Sequence, residues 1–151
     1  MIRSIWIFIL SFCGIFIIDQ NIKSLFVNGF TYYTKCISLI LEYNRGVAFS
    51  MLSFLGENLK YIQILLMVFV SIYMIFHKET FKKYSLPLGI ILGAGSSNIY
   101  DRFVYGGVVD YIYWHCGFNF AIFNFADVMI DLGVAIILYI NYKKTKEIER
   151  G

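Results

Sequence analysis

The sequence predicts an α-helical integral membrane protein with four transmembrane helices and a small extracytoplasmic β-sheet cradle and loop between spans 1 and 2. Of the 151 residues, 59% are apolar and 15% are charged, whereas soluble domains have about 45–50% apolar and about 25% charged residues. Four apolar runs also recur, three of them without charged residues, and each approaches the roughly 20 residues that a bilayer span needs. This composition disfavours a soluble globule and rules out a disordered chain. The net charge of +3 is too small to indicate nucleic-acid binding.

The predicted spans cover residues 4–20, 59–77, 84–103 and 121–142, approximately, and belong to one membrane-embedded domain that includes all of residues 1–151. The first run begins after Arg3 like a signal peptide. It lacks a small-x-small cleavage site and continues into Asp19-Gln20-Asn21, so we interpret it as an uncleaved span. Asp127 and Asp131 interrupt the fourth run.

The Lys and Arg residues fall unevenly on the two sides of a four-span chain. One side receives Arg3, Lys78, Lys82, Lys83, Lys143, Lys144, Lys146 and Arg150, which are eight of the 13. By the positive-inside rule, both termini are cytoplasmic and the segments 19–60 and 103–117 lie outside.

The outer segment of about 22–57 is the only part of the sequence that we predict to form a sheet. Residues 30–34 and 36–41 are rich in β-forming side chains, and Asn28-Gly29 is a turn signal. Cys36 and Cys116 both lie outside and can pair, although their spacing does not require it. No spacing of Cys and His fits a zinc site.

Asp residues at the outer ends of the spans carry the functional argument. An Asp at the centre of a spanning helix costs about 2.5–3.5 kcal/mol on insertion scales, so such residues are read first as functional. Asp110 and Asp127 are 17 residues apart, on either side of one outer connection. A hairpin there brings the two carboxyls together, and two close carboxylates share one proton near neutral pH. One can then act as a base toward water while the other acts as an acid, as in aspartic peptidases.

Three other interpretations of these acids stay open on spacing alone. The pair can be structural, with each carboxylate capping a helix or bonding the backbone. A small transporter or proton relay can use Asp19, Asp101, Asp127 and Asp131, but a relay needs acids spread through the membrane, and all but Asp131 lie at outer ends. A membrane scaffold without enzymatic activity gives no reason for the Asn and Arg residues that accompany the acids.

Four motifs, in order along almost the whole chain, closely resemble those of bacterial signal peptidase II, the lipoprotein signal peptidase family. They are Asp19-Gln20 with Lys23, the Asn-x-Gly-x-Ala-Phe-Ser pattern at 44–50, the segment 93–102 that continues to Asp110, and Phe123-Asn124-Phe125-Ala126-Asp127. Each motif is weak alone, and the four together are specific. Ser97 stands where the family usually has Gly, and Asp131 stands at a position that the family usually keeps uncharged.

The resemblance implies a multi-pass aspartic endopeptidase of the bacterial cytoplasmic (inner) membrane, with its active site at the outer face. Such enzymes remove the signal peptide from a prolipoprotein before its diacylglyceryl-modified Cys, without metal or cofactor. Lipid-modified prolipoproteins and membrane lipids are the implied partners. Globomycin-type inhibitors are expected in the same groove, under a mobile helix-bearing loop, and we expect a monomer.

By the same resemblance, Asp110 and Asp127 match the catalytic pair. The substrate-binding or site-supporting residues are Asp19, Lys23, Asn44, Gly46, Asn98, Asp101, Arg102 and Asn124. Asn98 and Arg102 are i and i+4 and share one helix face, where Arg102 can neutralise the charged aspartate or hold substrate backbone. Asn124 lies one turn before Asp127 and can position a carboxylate or a substrate carbonyl.

Overall fold

The computed structural model describes residues 1–46, 53–56 and 58–149, and these residues form four α-helices, a short 3-10 helix and one three-stranded antiparallel sheet. The α-helices are α1 (Ile2–Val27), α2 (Asn58–Phe76), α3 (Lys78–Val104) and α4 (Phe125–Glu149), and the 3-10 helix is Ser53–Leu55. The strands are β1 (Tyr32–Tyr33), β2 (Ile37–Asn44) and β3 (Val108–Trp114), in the order β1-β2-β3.

In the part of the chain that the structure describes, three helices are long and apolar enough to cross a membrane: Ile2–Val27, Asn58–Phe76 and Phe125–Glu147. Helix α3 has 27 residues, about 40 Å at 1.5 Å per residue, but is more polar. Many of its polar side chains are buried inside the protein, among them Ser97, Asn98, Asp101 and Arg102. The more polar composition of α3 is therefore explained by the contacts that its buried polar side chains make inside the protein.

Helices α1 and α3 approach closely at two glycines. A Cβ at Gly93 would lie 2.5 Å from the carbonyl oxygen of Phe12, and one at Gly89 would lie 2.6 Å from that of Phe8. The two glycines are four residues apart, which is the small-xxx-small spacing that lets membrane helices pack backbone to backbone.

Helix α1 is longer than predicted, because it continues to Val27 instead of ending near residue 20. Asp19 and Lys23 lie one turn apart and pair at 2.7 Å, both fully buried. Since each charge has its partner inside the protein, the two do not mark a helix end. Residues 22–27, predicted as the start of the cradle, are therefore helical.

The prediction that the sheet is confined to residues 22–57 is wrong. Strand β3 comes from the connection between α3 and α4 and pairs with β2, with Glu42 opposite Asp110 and Asn44 opposite Val108. Strand pairing over this sequence distance is set by tertiary contacts and leaves no local signal.

Helix α4 begins at Phe125, a few residues later than the predicted start near 121. The preceding chain turns back along β3, where Ile112 N–H donates to Phe123 O at 2.8 Å and Phe123 N–H donates to Ile112 O at 3.1 Å. The apolar residues 120–123 are thus an extended segment beside the sheet and not the first turn of a span.

Cys36 and Cys116 form a disulfide, which resolves the pairing that their spacing left open. Cys36 directly precedes β2, and Cys116 follows β3. The bond therefore ties the two paired strands together at one end of the sheet.

Candidate active site

The start of α4 is held by hydrogen bonds from each of its first four N–H groups. Asn124 is the N-cap, and Asp127 is the third helical residue, so the two form a capping box. Within the capping box, Asn124 N–H donates to Asp127 Oδ2 at 3.1 Å and Asp127 N–H donates to Asn124 Oδ1 at 2.9 Å. The two N–H groups between them donate to other elements: Phe125 N–H to Tyr111 Oη at 3.0 Å and Ala126 N–H to Asp19 Oδ1 at 3.0 Å. The donors that a helix start leaves unpaired are thus satisfied, and the Asp127 carboxylate is fixed.

Asp110 projects from the middle of β3 and is 2% exposed. Its Oδ1 accepts from Asn124 Nδ2 at 2.7 Å, and its Oδ2 accepts from Asn44 Nδ2 at 3.0 Å. Burial raises the pKa of the Asp110 carboxyl to about 7, the negative charge of Asp127 adds to the rise, and the two amide hydrogen bonds oppose it.

The second carboxylate, that of Asp127, is also held by an uncharged side-chain donor. Its Oδ1 accepts from Asn98 Nδ2 at 2.9 Å. Asn124 bridges the two acids, because its Nδ2 bonds Asp110 while its backbone N–H bonds Asp127. Neutral donors orient both carboxylates without cancelling their charge, which favours a pair that holds one proton.

Both aspartates line one cavity of about 510 Å³. Its polar lining residues are Asn44, Gln63, Asn98, Arg102, Asp110, Asp127 and Asp131. Its apolar wall includes Val128 and Ile130 on α4 and residues 120–123 of the extended segment. A water molecule or a peptide carbonyl in this cavity can meet both carboxyls.

A buried cluster around Lys23 lies behind the carboxylates. The Lys23 ammonium contacts Asp19 Oδ2, Asp101 Oδ2 and Asn98 Oδ1, each at 2.7 Å, so its three donors are all used. Because Asn98 also donates to Asp127, this cluster fixes the amide that orients the second acid.

Asp19 and Asp101 do not line the cavity. Besides Lys23, Asp19 accepts from the α4 backbone, and Asp101 accepts from Val109 N–H at 3.1 Å. The geometry therefore gives these two acids the task of joining α1 and α3 to the elements that carry Asp110 and Asp127.

Arg102 holds this chain's own backbone. Its Nη2 donates to the carbonyl oxygen of Gly46, and its Nη1 donates to that of Asn98 at 3.4 Å. Among the described residues the guanidinium forms no ion pair within 4.0 Å. The two tasks considered for it, neutralising the charged aspartate or holding substrate backbone, stay predictions. Gly46 N–H in turn donates to Asn44 Oδ1 at 2.9 Å, which ties the end of β2 to the site.

Four residues were given no role in the site from the sequence: Tyr111, Ser97, Gln20, which was quoted only as part of the first motif, and Gln63, which lines the cavity. Tyr111 accepts from the start of α4 and stacks on Phe26 with ring centroids 4.2 Å apart. Ser97 Oγ donates to Asp19 at 2.6 Å, and Gln20 Nε2 donates to Asp101 at 2.8 Å. From the sequence, Ser97 was noted only as a departure from the Gly that is usual in the family. Residues 47–50 of the second motif lie outside the described residues.

Comparison with known proteins identifies the family. A family model described as "Signal peptidase (SPase) II" matches residues 11–143. The chain belongs to the signal peptidase II family. The resemblance inferred from the four motifs is therefore confirmed, and membership indicates a peptidase of the membrane, in agreement with the apolar helices.

Relatives of the signal peptidase II chain cover nearly its whole length. A lipoprotein signal peptidase of Sulfurimonas denitrificans is 60% identical over 142 residues, 94% of this chain and 92% of the relative. One of Helicobacter pylori (strain Shi470) is 54% identical over 136 residues, 90% and 87% of the two chains. A bacterial membrane enzyme solved by the in meso method at 2.3 Å resolution shares the fold, with a TM-score of 0.78 at 24% identity over 93% of this chain and 90% of that one.

Proposed function

We propose that this chain removes signal peptides from diacylglyceryl-modified prolipoproteins, cutting before the lipid-modified Cys, with Asp110 and Asp127 as the catalytic pair. The observation that carries the proposal is that both carboxylates line one cavity and are oriented by uncharged amides, with Asn124 between them. Relatives that carry the name lipoprotein signal peptidase support the choice of substrate.

The mechanism follows from a pair that holds one proton. The ionised carboxylate takes a proton from a water molecule as the water oxygen bonds to the scissile carbonyl carbon, and the protonated carboxyl gives its proton to the carbonyl oxygen. When the tetrahedral intermediate collapses, one of its hydroxyl groups returns a proton to the carboxylate that gave one, and the C–N bond breaks. The leaving nitrogen receives the proton that came from the water. The carboxyl oxygens are already held by Asn44, Asn98 and Asn124, so little reorganisation is needed.

We further propose that all four helices cross the bacterial inner membrane, with both termini in the cytoplasm and the site at the outer face. The end of α4 lies next to the start of α3, where Lys83 Nζ donates to Asn141 Oδ1 at 2.9 Å. Basic residues are concentrated at these two helix ends. By the positive-inside rule, such ends lie on the cytoplasmic side. The disulfide supports the outer placement of the sheet, since disulfides persist in oxidising compartments.

An outer-edge cavity suits a substrate with two acyl chains, which can enter sideways from the lipid. The cavity lies beside β2 and β3, so an extended peptide can bond to strand backbone there. A peptide antibiotic of the globomycin type is expected to occupy the same space, and the site needs no second copy of the chain.

The position of the acids does not favour a proton relay. Asp19, Asp101, Asp110 and Asp127 belong to one connected cluster, and Asp131 is only one turn deeper. Beyond Asp131, the next acid along α4 is Glu147, near the opposite end of the helix.

The test is cleavage of a purified prolipoprotein by the purified protein in lipid, with the products identified by mass spectrometry. We expect a single cut on the amino side of the diacylglyceryl-Cys. The matched control is the same precursor without the diacylglyceryl group, which should be cut far more slowly. Failure of a folded protein to cut the modified precursor would overturn the proposal.

A further inference from the structure

Asp131 is a polar side chain of the cavity that the proposed chemistry does not use. It lies on α4 one turn beyond Asp127 and lines the same cavity. Among the described residues it has no hydrogen bond and no ion pair, whereas Asp19, Asp101, Asp110 and Asp127 are all bonded. A carboxyl within a membrane-spanning helix is expensive unless a partner offsets the cost.

Gln63 on α2 lines the same cavity. The side chain of Gln63 is half-buried, whereas that of Asp131 is exposed. Oε1 of Gln63 is buried and has no hydrogen-bond partner in the described part of the chain. A carboxyl accepts hydrogen bonds whether or not it is ionised, and an amide oxygen accepts as well. Arg102, which also lines the cavity, has a buried Nε without a partner in the ranges that the structure describes, so neither acceptor is bonded to it. A substrate that brings a hydrogen-bond donor to the acceptors on α2 and α4 would satisfy them.

The depth of Asp131 indicates which part of a substrate it meets. In the proposed orientation α4 runs inward from the outer face, so four residues place Asp131 about 6 Å deeper than Asp127. The signal peptide enters the bilayer on that side of the cut. An extended chain advances about 3.3 Å per residue, so about two residues separate the scissile bond from the level of Asp131.

On this basis we infer that Asp131 and Gln63 form a polar subsite for a Ser or Thr hydroxyl at the second or third residue before the cut. The inference rests on the proposed function. The hydroxyl donates to one of the two acceptors while the rest of the signal peptide stays in apolar surroundings. The subsite affects the choice of precursor and takes no part in bond breaking.

The test measures kcat/KM for diacylglyceryl-modified precursors with Ser or Ala at each of these two positions. Wild type should prefer Ser over Ala at one of them by roughly three- to tenfold, the size expected for one hydrogen bond. Asp131→Ala should bring that ratio close to one while the Ala precursor is still cut. Asp131→Asn keeps an acceptor and should keep most of the preference.

The ratio is taken within one protein preparation, so a change in the folded fraction does not alter it. Ala also favours the helix more than Asp does, which protects the fold of the variant. Gln63→Leu is the second variant and should lower the same ratio. A wild-type ratio of one at both positions would overturn the subsite and leave the proposed function standing. A preference that is unchanged in both Asp131→Ala and Gln63→Leu would do the same. If folded wild type cuts no precursor, the proposed function fails and the subsite fails with it.

Discussion

Asn124 and Asp127 cap each other at the start of α4: the N–H of each donates to a side-chain oxygen of the other, at 3.1 and 2.9 Å. The same Asn124 amide nitrogen donates to Asp110 at 2.7 Å. One side chain therefore begins a helix and sets the relative position of two acids that come from different elements. The helix cap and the candidate catalytic pair are a single structural unit.

Separating the two tasks of Asn124 gives the first prediction. Asn124→Ser keeps a capping oxygen but loses the donor to Asp110, and Asn124→Ala loses both. We expect kcat/KM to fall strongly in both variants. Thermal unfolding should show Asn124→Ala to be less stable than Asn124→Ser by about 1 kcal/mol, the usual value of an N-cap. Full activity in Asn124→Ser would show that the bridge to Asp110 is not needed.

The pH profile of cleavage should report the proton of the pair. The pKa of Asp110 is raised to about 7, chiefly by burial and next by the charge of Asp127, against the hydrogen bonds from Asn44 and Asn124 and the charge of Lys23. Below this pH the pair holds the proton that the acid step needs, and above it that proton is lost. We therefore expect kcat/KM to fall as pH rises through about 7. A rate that stays level up to pH 9, with stability checked separately, would contradict this.

The Lys23 cluster should dominate stability. Lys23→Met leaves two buried carboxylates, Asp19 and Asp101, without their cation, and breaking a buried pair in this way costs about 3–5 kcal/mol. The control is Lys82→Met, which removes an exposed ion pair with Glu79 and should leave the unfolding temperature unchanged. Equal unfolding temperatures for the two variants would mean that the buried cluster contributes no net stability.

The contact of α1 with α3 predicts opposite effects at neighbouring glycines. Ala at position 93 places a Cβ 2.5 Å from the Phe12 carbonyl oxygen, so the helices must separate, and we expect a loss of about 1–3 kcal/mol. Ala at position 95 meets only Met67 Sδ at 3.5 Å, an ordinary contact, so Gly95→Ala should gain up to about 1 kcal/mol from helix propensity. Thermal unfolding of the two variants side by side tests this. Stabilisation by Gly93→Ala would contradict the close approach.

The sequence predicted those features that depend on local pattern or on short motifs. The apolar runs predicted the three helices with the composition of spans, and the motif residues Asp110 and Asp127 line one cavity in the structure. Asp19 was predicted to be a substrate-binding or site-supporting residue. The structure gives it a linking task, because it bonds both Lys23 and the α4 backbone.

What the sequence could not predict depends on long-range contacts. Strand β3 was missed because its pairing with β2 joins residues far apart in the chain. Helix α1 was cut short because Asp19 and Lys23 look like the end of a span until Asp101 is placed beside them. Helix α4 was started too early, since Phe123 is as apolar as a span residue but bonds to β3.

The central claim is that Asp110 and Asp127 together perform the cleavage. The most direct measurement is kcat of Asp110→Asn and Asp127→Asn on a diacylglyceryl-modified prolipoprotein, beside wild type and beside Glu79→Gln, an exposed acid outside the site. We predict that each site variant loses about a hundredfold or more in kcat, with an unfolding temperature near that of wild type, while Glu79→Gln keeps full activity. A folded Asp110→Asn or Asp127→Asn that cleaves at the wild-type rate would contradict the account.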